Sequence, residues 1–99
     1  MKMHNPAHPG EVLKAWMTDM GTNVKAFAAH LDVKQAKLSR ILNGHAAVSA
    51  DMDLRLHEAL GTTPGHWLAM QNQRDLWEAS QNAKHRPKVK RMKLAQAMA

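Results

Sequence analysis

The residues with the clearest chemical potential lie in one short run, Gln35-Ala36-Lys37-Leu38-Ser39-Arg40. On a helix, Leu38 and Ile41 share a buried side, three residues apart. The opposite side reads Gln35, Ala36, Lys37, Ser39 and Arg40. Gln makes paired hydrogen bonds to adenine, and Arg or Lys does so to guanine. Between Asp32 and Asp51 the chain carries Lys34, Lys37, Arg40 and His45 and no acid. The chemistry this implies is the reading of base edges in a DNA major groove, not the making or breaking of bonds.

Other chemistries find little to work with. There is no cysteine, which excludes a disulfide framework, a thiolate zinc site, an iron–sulfur cluster and a cysteine nucleophile. His4 and His8 are four apart, but they sit among Asn5, Pro6 and Pro9 with no carboxylate or third histidine close by, so no metal site is expected. No phosphate-cradling glycine loop, nucleophile elbow or pocketed pair of carboxylates is present. Neither an enzyme nor a cofactor is expected. With no Tyr and one Phe, stacking on single-stranded nucleic acid is not expected either.

A base-reading helix needs elements to hold it, and the sequence supplies five helical segments and no strand pattern. The first starts at Pro9, runs to about Met20 with Val12, Leu13 and Trp16 on one face, and stops at Gly21. The second follows Asn23 as N-cap and carries the stripe Val24, Phe27, Ala28 and Leu31. A short connection, Asp32-Val33-Lys34, leads to the third, Gln35 to Leu42, which stops at Asn43-Gly44. Ala28 is small enough for a close crossing, Asp32 tolerates a left-handed backbone, and Val33 is apolar. Residues 24–43 therefore read as a helix-turn-helix, with 35–42 as the recognition helix.

The fourth segment opens at Ser49 with Asp51 in its first turn, continues through Met52, Leu56, Ala59 and Leu60, and stops at Gly61. The fifth is expected from Thr63 as cap and Pro64 as first residue to about Asn82, with Trp67, Leu68, Leu76 and Trp77. Met17, Met20, Met52 and Met70 are expected to fill gaps in the core. Trp67 reads as core, and Trp77 as either core or interface. This last helix is longer than a small bundle can cover, so its exposed apolar side is a natural place for a partner.

The chain has 99 residues, 44% of them hydrophobic, which suits one domain with a single core. No stretch approaches eighteen apolar residues and the first ten do not read as a signal peptide, so a soluble, cytoplasmic protein without membrane contact is expected. The net charge of +6 is unevenly placed. Residues 1–83 hold eight Lys/Arg and eight acids, whereas the last sixteen residues hold six Lys/Arg and no acid. The division expected is a DNA-binding domain at 1–83 and a basic, disordered or loosely extended tail at 84–99, in which only Val89, Met92 and Leu94 offer anchors. Pro87 separates the tail from the preceding helix.

The segment Val24 to Gly44, ending Leu38-Ser39-Arg40-Ile41-Leu42-Asn43-Gly44, resembles the lambda-repressor-like (XRE) DNA-binding fold. His8-Pro9-Gly10-Glu11-Val12-Leu13 and the block from Thr63-Pro64-Gly65-His66-Trp67-Leu68 through Gln71-Asn72, with Asp75-Leu76, resemble the HigA (VapI-like) antitoxins. The likeness covers roughly residues 8–80. It implies an all-α, five-helix dimer that binds double-stranded operator DNA, represses its own operon and neutralises a HigB-type ribonuclease toxin. By position it assigns Gln35, Lys37, Ser39 and Arg40 to the bases or groove, and Asn23 and Asn43 to the backbone. Ala36 stands where relatives often read a base and leaves that step to contact with a thymine methyl or to no contact. Lys34 stands where Ser or Thr often caps the recognition helix. A stand-alone regulator of the same fold, or an interaction module that has lost DNA binding, are the alternatives; the cationic Lys37 and Arg40 argue against the last.

Overall fold

Five helices follow one another in the computed structural model, which describes residues 5–82 and 85–93: α1 (Pro9–Met20), α2 (Val24–Leu31), α3 (Gln35–Leu42), α4 (Ala50–Leu60) and α5 (His66–Gln81). Expectations for His4, residues 83–84 and Leu94 lie outside the described residues, as does the rest of the tail beyond it. Among the described residues there is no strand. The all-α, helix-turn-helix architecture expected from the periodicity is the one observed.

Most helix ends obey local rules. Gly21 and Gly61 close α1 and α4 in the left-handed conformation, at φ 70° and 75°. Asn23 and Ser49 cap α2 and α4, their side-chain oxygens accepting from the Ala26 N–H at 2.8 Å and the Met52 N–H at 3.1 Å. His8 does the same for α1: its Nδ1 accepts from the Gly10 N–H at 2.9 Å. The histidine that could have suggested a metal ligand is thus a buried helix cap.

The start of α5 differs from the expectation. Thr63 does not cap it and Pro64 is not its first residue; the helix begins at His66, and Gly65 before it has φ 93°. A left-handed residue at 65 breaks any continuous helix from Pro64. The first-turn amides, which have no partner within the helix, are met from α4 instead. Asp53, fully buried, accepts from the Gly65 N–H at 2.7 Å, the Trp67 N–H at 3.0 Å and the Leu68 N–H at 3.0 Å.

The core sits where all five helices meet. Leu13, Met17, Phe27, Ala28, Leu31, Leu38, Ile41, Leu42, Val48, Met52, Leu56 and Trp67 are buried. Trp67 lies edge-on to Trp16, with ring centroids 5.3 Å apart, and its indole N–H donates to the Thr62 hydroxyl at 3.0 Å. Met17 and Met52 fill the core as expected, and Met70 packs against it. Met20 does not: it is 48% exposed, because α1 runs one turn past the last residue it packs, Met17.

Gly10 marks the tightest approach between helices. A Cβ there would lie 1.9 Å from the carbonyl oxygen of Ile41, so only hydrogen lets the start of α1 meet the end of α3 at this distance.

Candidate nucleic-acid interface

The helix-turn-helix is held by its turn and by α4. Asp32 takes the left-handed conformation, φ 57° and ψ 46°, and is the only non-glycine residue with positive φ among those described. The Val33 N–H donates to the Ala28 carbonyl at 3.0 Å, and the Asp32 N–H to the Ala29 carbonyl at 3.2 Å. One turn of chain is thereby folded back on α2. Leu38, Ile41 and Leu42 then bury the inner side of α3.

Sequence reasoning missed the residue that fixes this turn from outside. Arg55 of α4 donates through Nη1 to the carbonyls of Leu31, at 2.8 Å, and Asp32, at 3.2 Å. Its Nε donates to the Asp51 carboxylate at 2.8 Å. The end of α2 is a natural site for a cation, since its last carbonyls lack helical partners. The signal available in the sequence was the Asp51–Arg55 spacing of four on one helix. The Arg55 hydrogen bond pulls the Asp51 carboxyl below the usual carboxylate range, against a small opposing cost of desolvation, and the nearby charge of Lys37 adds to the pull.

On the outer face of α3 Gln35, Ala36, Lys37 and Arg40 are exposed, Ser39 is half-buried, and Asn43 is exposed at the end of the helix. Arg40 makes one long hydrogen bond, 3.4 Å from Nη2 to the His45 carbonyl. Asn43 makes another to the Ser39 hydroxyl at 3.5 Å. Hydrogen bonds of that length exchange readily for a base or phosphate. Lys34 occupies the N-cap of α3 with no side-chain hydrogen bond to the helix, leaving the first-turn amides of α3 open. Asn23 stands apart from α3, at the start of α2; its oxygen is committed to the Ala26 amide, so its side-chain NH2 is the group suited to a phosphate.

A second residue missed as functional is Gln71. Its Oε1 accepts from the buried Val48 N–H at 3.0 Å and its Nε2 donates to Asp75 at 2.9 Å. It therefore ties α5 to the loop that follows α3. The spacing Pro64-x-x-Trp67-Leu68-x-x-Gln71 places a core anchor and this loop clamp on one helix, four residues apart.

Curated proteins share much of this sequence. The chain is 36% identical over 89 residues to virulence-associated protein A' of Dichelobacter nodosus, covering 89% of the chain and 77% of the relative. It is 36% identical to antitoxin HigA-1 of Vibrio cholerae over 74% of the chain and 70% of the relative. The chain belongs to the HigA (VapI-like) family of helix-turn-helix antitoxins. No protein-family model matches it. Among solved structures, antitoxin GraA in complex with its operator superposes with a TM-score of 0.82 at 37% identity, over 93% of this chain and 96% of that one. Pseudomonas aeruginosa antitoxin HigA with the higBA promoter gives 0.75 at 29% identity, over 81% and 89%. Other relatives are named HTH-type transcriptional regulators, and the proteins this chain resembles are antitoxins and DNA-binding regulators, not enzymes. No helix among the described residues is long and apolar enough to cross a membrane.

Proposed function

We propose that this member of the HigA family binds double-stranded operator DNA as a homodimer, represses its own operon from the cytoplasm, and neutralises a HigB-type ribonuclease toxin. The observation that carries the reading is the outer face of α3. Gln35, Lys37 and Arg40 stand exposed on a helix whose orientation is fixed by Asp32 and Arg55, and structural neighbours of the same architecture are operator-bound. Gln35, Ala36, Lys37, Ser39 and Arg40 are assigned to the groove, and Asn23 and Asn43 to the flanking phosphates. The DNA-binding unit is residues 1–83, and 84–99 are its tail.

A dimer follows from the geometry of groove reading. One recognition helix covers only a few base pairs, and a two-fold pair placed one helical turn apart reads a palindrome. The exposed apolar residues Leu54 of α4 and Leu76 of α5 lie on the helices that would meet the second subunit. The test is titration of the purified chain onto the DNA upstream of its own gene and onto a scrambled duplex at fixed salt, with mass measured by sedimentation. Preferential binding of a two-subunit species to the upstream DNA is expected. Equal binding to both duplexes would overturn the operator reading. Co-expression with the neighbouring small reading frame tests the toxin separately: rescue of growth is expected.

A further inference from the structure

We propose that residues 85–93 form an arm that grips the DNA phosphates beside the half-site read by α3. The inference rests on the operator reading above and extends the interface beyond the helix-turn-helix.

The first observation is charge. His85 to Lys93 hold Arg86, Lys88, Lys90, Arg91 and Lys93 and no acid, while residues 1–83 are balanced. The domain alone therefore has no net attraction for a polyanion; its cations near α3 act only at close range. The second is exposure. Every residue from 85 to 93 is exposed, and no helix or strand forms from Pro87 to Lys93. Val89 is 88% exposed and Met92 also faces solvent, so neither anchors the segment to the core. The two ion pairs among the described residues, Arg55–Asp51 and Arg74–Glu78, use none of its cations. A radius of gyration of 17.4 Å, against about 13 Å for a compact chain of this length, fits a segment that projects from the helices.

The third observation is where the arm begins. The C-terminal half of α5 lies over the loop that leaves the recognition helix: Asp75 and Glu78 line a cleft with Gly44, His45 and Ala47. That loop is the one whose His45 carbonyl accepts from Arg40. Asn82 is one turn beyond Glu78, about 6 Å along the helix, and the His85 N–H donates to its carbonyl at 3.0 Å. The root of the arm is thus tied to the flank where α3 ends. Nine extended residues reach about 30 Å, enough to lie along several successive phosphates of one strand. An extended cationic segment, rather than a folded patch, suits a regularly spaced line of charge.

The experiment uses the full chain and a variant carrying Arg86→Gln, Lys88→Gln, Lys90→Gln, Arg91→Gln and Lys93→Gln. Both are titrated onto operator and random duplexes at several salt concentrations. Removing one cation–phosphate pair lowers the magnitude of the log–log salt slope by about 0.9, so a drop of up to about 4.5 per subunit, or about 9 for the bound dimer, is expected on both duplexes, with the operator-to-random affinity ratio kept. A second variant with the same five cations in reordered positions is expected to keep the native slope. An unchanged slope in the Gln variant overturns the arm, including the case in which that variant instead loses binding to a protein partner. A reduced slope in the reordered variant also overturns it, since shape rather than charge would then matter. If the unaltered chain prefers the operator but the slope does not move, only the arm fails; if it binds no duplex, the operator reading fails with it.

Discussion

The carboxylate of Asp53 accepts the backbone N–H of Trp67 at 3.0 Å, so the helix that carries the largest core side chain is started by a residue of the helix before it. The same group takes the Gly65 and Leu68 amides. One buried side chain thereby sets the joint between α4 and α5, and with it the position of Gln71 over the loop behind α3.

Burial pushes the Asp53 carboxyl up, but the three backbone donors and the charge of nearby His66 outweigh it and hold the group below its ordinary value. A carboxyl depressed in the folded state contributes stability above its unfolded pKa of 3.8. That contribution is lost as pH falls below this value and through the lower folded one. Asp53→Asn replaces an acceptor with a donor facing backbone N–H groups, and each donor left buried without a partner costs about 1–3 kcal/mol. Urea denaturation of both proteins at pH 7 and pH 3 is the check. The variant is expected to be less stable at pH 7, with the gap narrowing at pH 3. A gap of equal size at both values would mean that Asp53 ionisation is not coupled to folding.

Much of this was legible because it is local. Asp32 as the left-handed turn residue, Asn23 and Ser49 as caps, and Gly21 as a stop each depend on a residue and its next four neighbours. The start of α5 was misread for the opposite reason. Thr63-Pro64 has the local signature of a helix start, but the cap comes from Asp53, ten residues earlier and on another helix. Arg55 was hidden likewise: nothing next to it in sequence reveals that Leu31 and Asp32 await a donor. Trp77, open between core and interface, is half-buried under the guanidinium of Arg74, 5.0 Å from its ring. Arg74 also donates to Asn5 and to the Pro6 carbonyl, both at 2.9 Å, so a residue counted only as charge ties the start of the chain to α5.

Gly10 makes a sharper stability test. A methyl group there meets the Ile41 carbonyl at 1.9 Å, a clash no rotamer change relieves, because both partners are backbone. Gly10→Ala is expected to destabilise the domain by about 1–3 kcal/mol through overpacking, despite the better helix propensity of alanine. For a domain of this size each kcal/mol lowers Tm by roughly 4–8 °C. Calorimetry of the two proteins decides it. A Tm equal to or above that of the parent chain would show that α1 and α3 separate at no cost.

Arg55 gives a prediction about geometry instead of stability. Its guanidinium spans the Leu31 and Asp32 carbonyls while Asp51 orients it. Arg55→Ala is expected to weaken operator binding several-fold while leaving affinity for random DNA nearly unchanged, because the phosphate-facing cations remain. Arg55→Lys supplies charge without the planar fork and is expected to recover only part of the preference. The operator-to-random ratio at fixed salt is the quantity to compare, with far-ultraviolet circular dichroism as the control for folding. A parallel fall on both duplexes would point to general unfolding and not to a misplaced recognition helix.

Arg40 and Lys37 should separate base reading from phosphate binding. Arg40 is exposed, and its one intramolecular partner is the His45 carbonyl at 3.4 Å, which it can leave for a guanine at little cost. Arg40→Ala is expected to cost about 1–3 kcal/mol per base contact and to relax preference at one base pair in each half-site. Lys37 is exposed on the outer face of α3, and its charge is one of the causes that lower the Asp51 carboxyl. If its ammonium meets phosphate, Lys37→Ala will weaken all sequences alike and reduce the salt slope by about 1 per subunit. Asp51→Asn removes a negative charge near this face together with the Arg55 ion pair, and is expected to raise affinity for random DNA while lowering the operator-to-random ratio. Binding selections from a randomised half-site, run with each variant, resolve the two roles. A preferred sequence left intact by Arg40→Ala, at unchanged affinity, would remove α3 from the reading of bases.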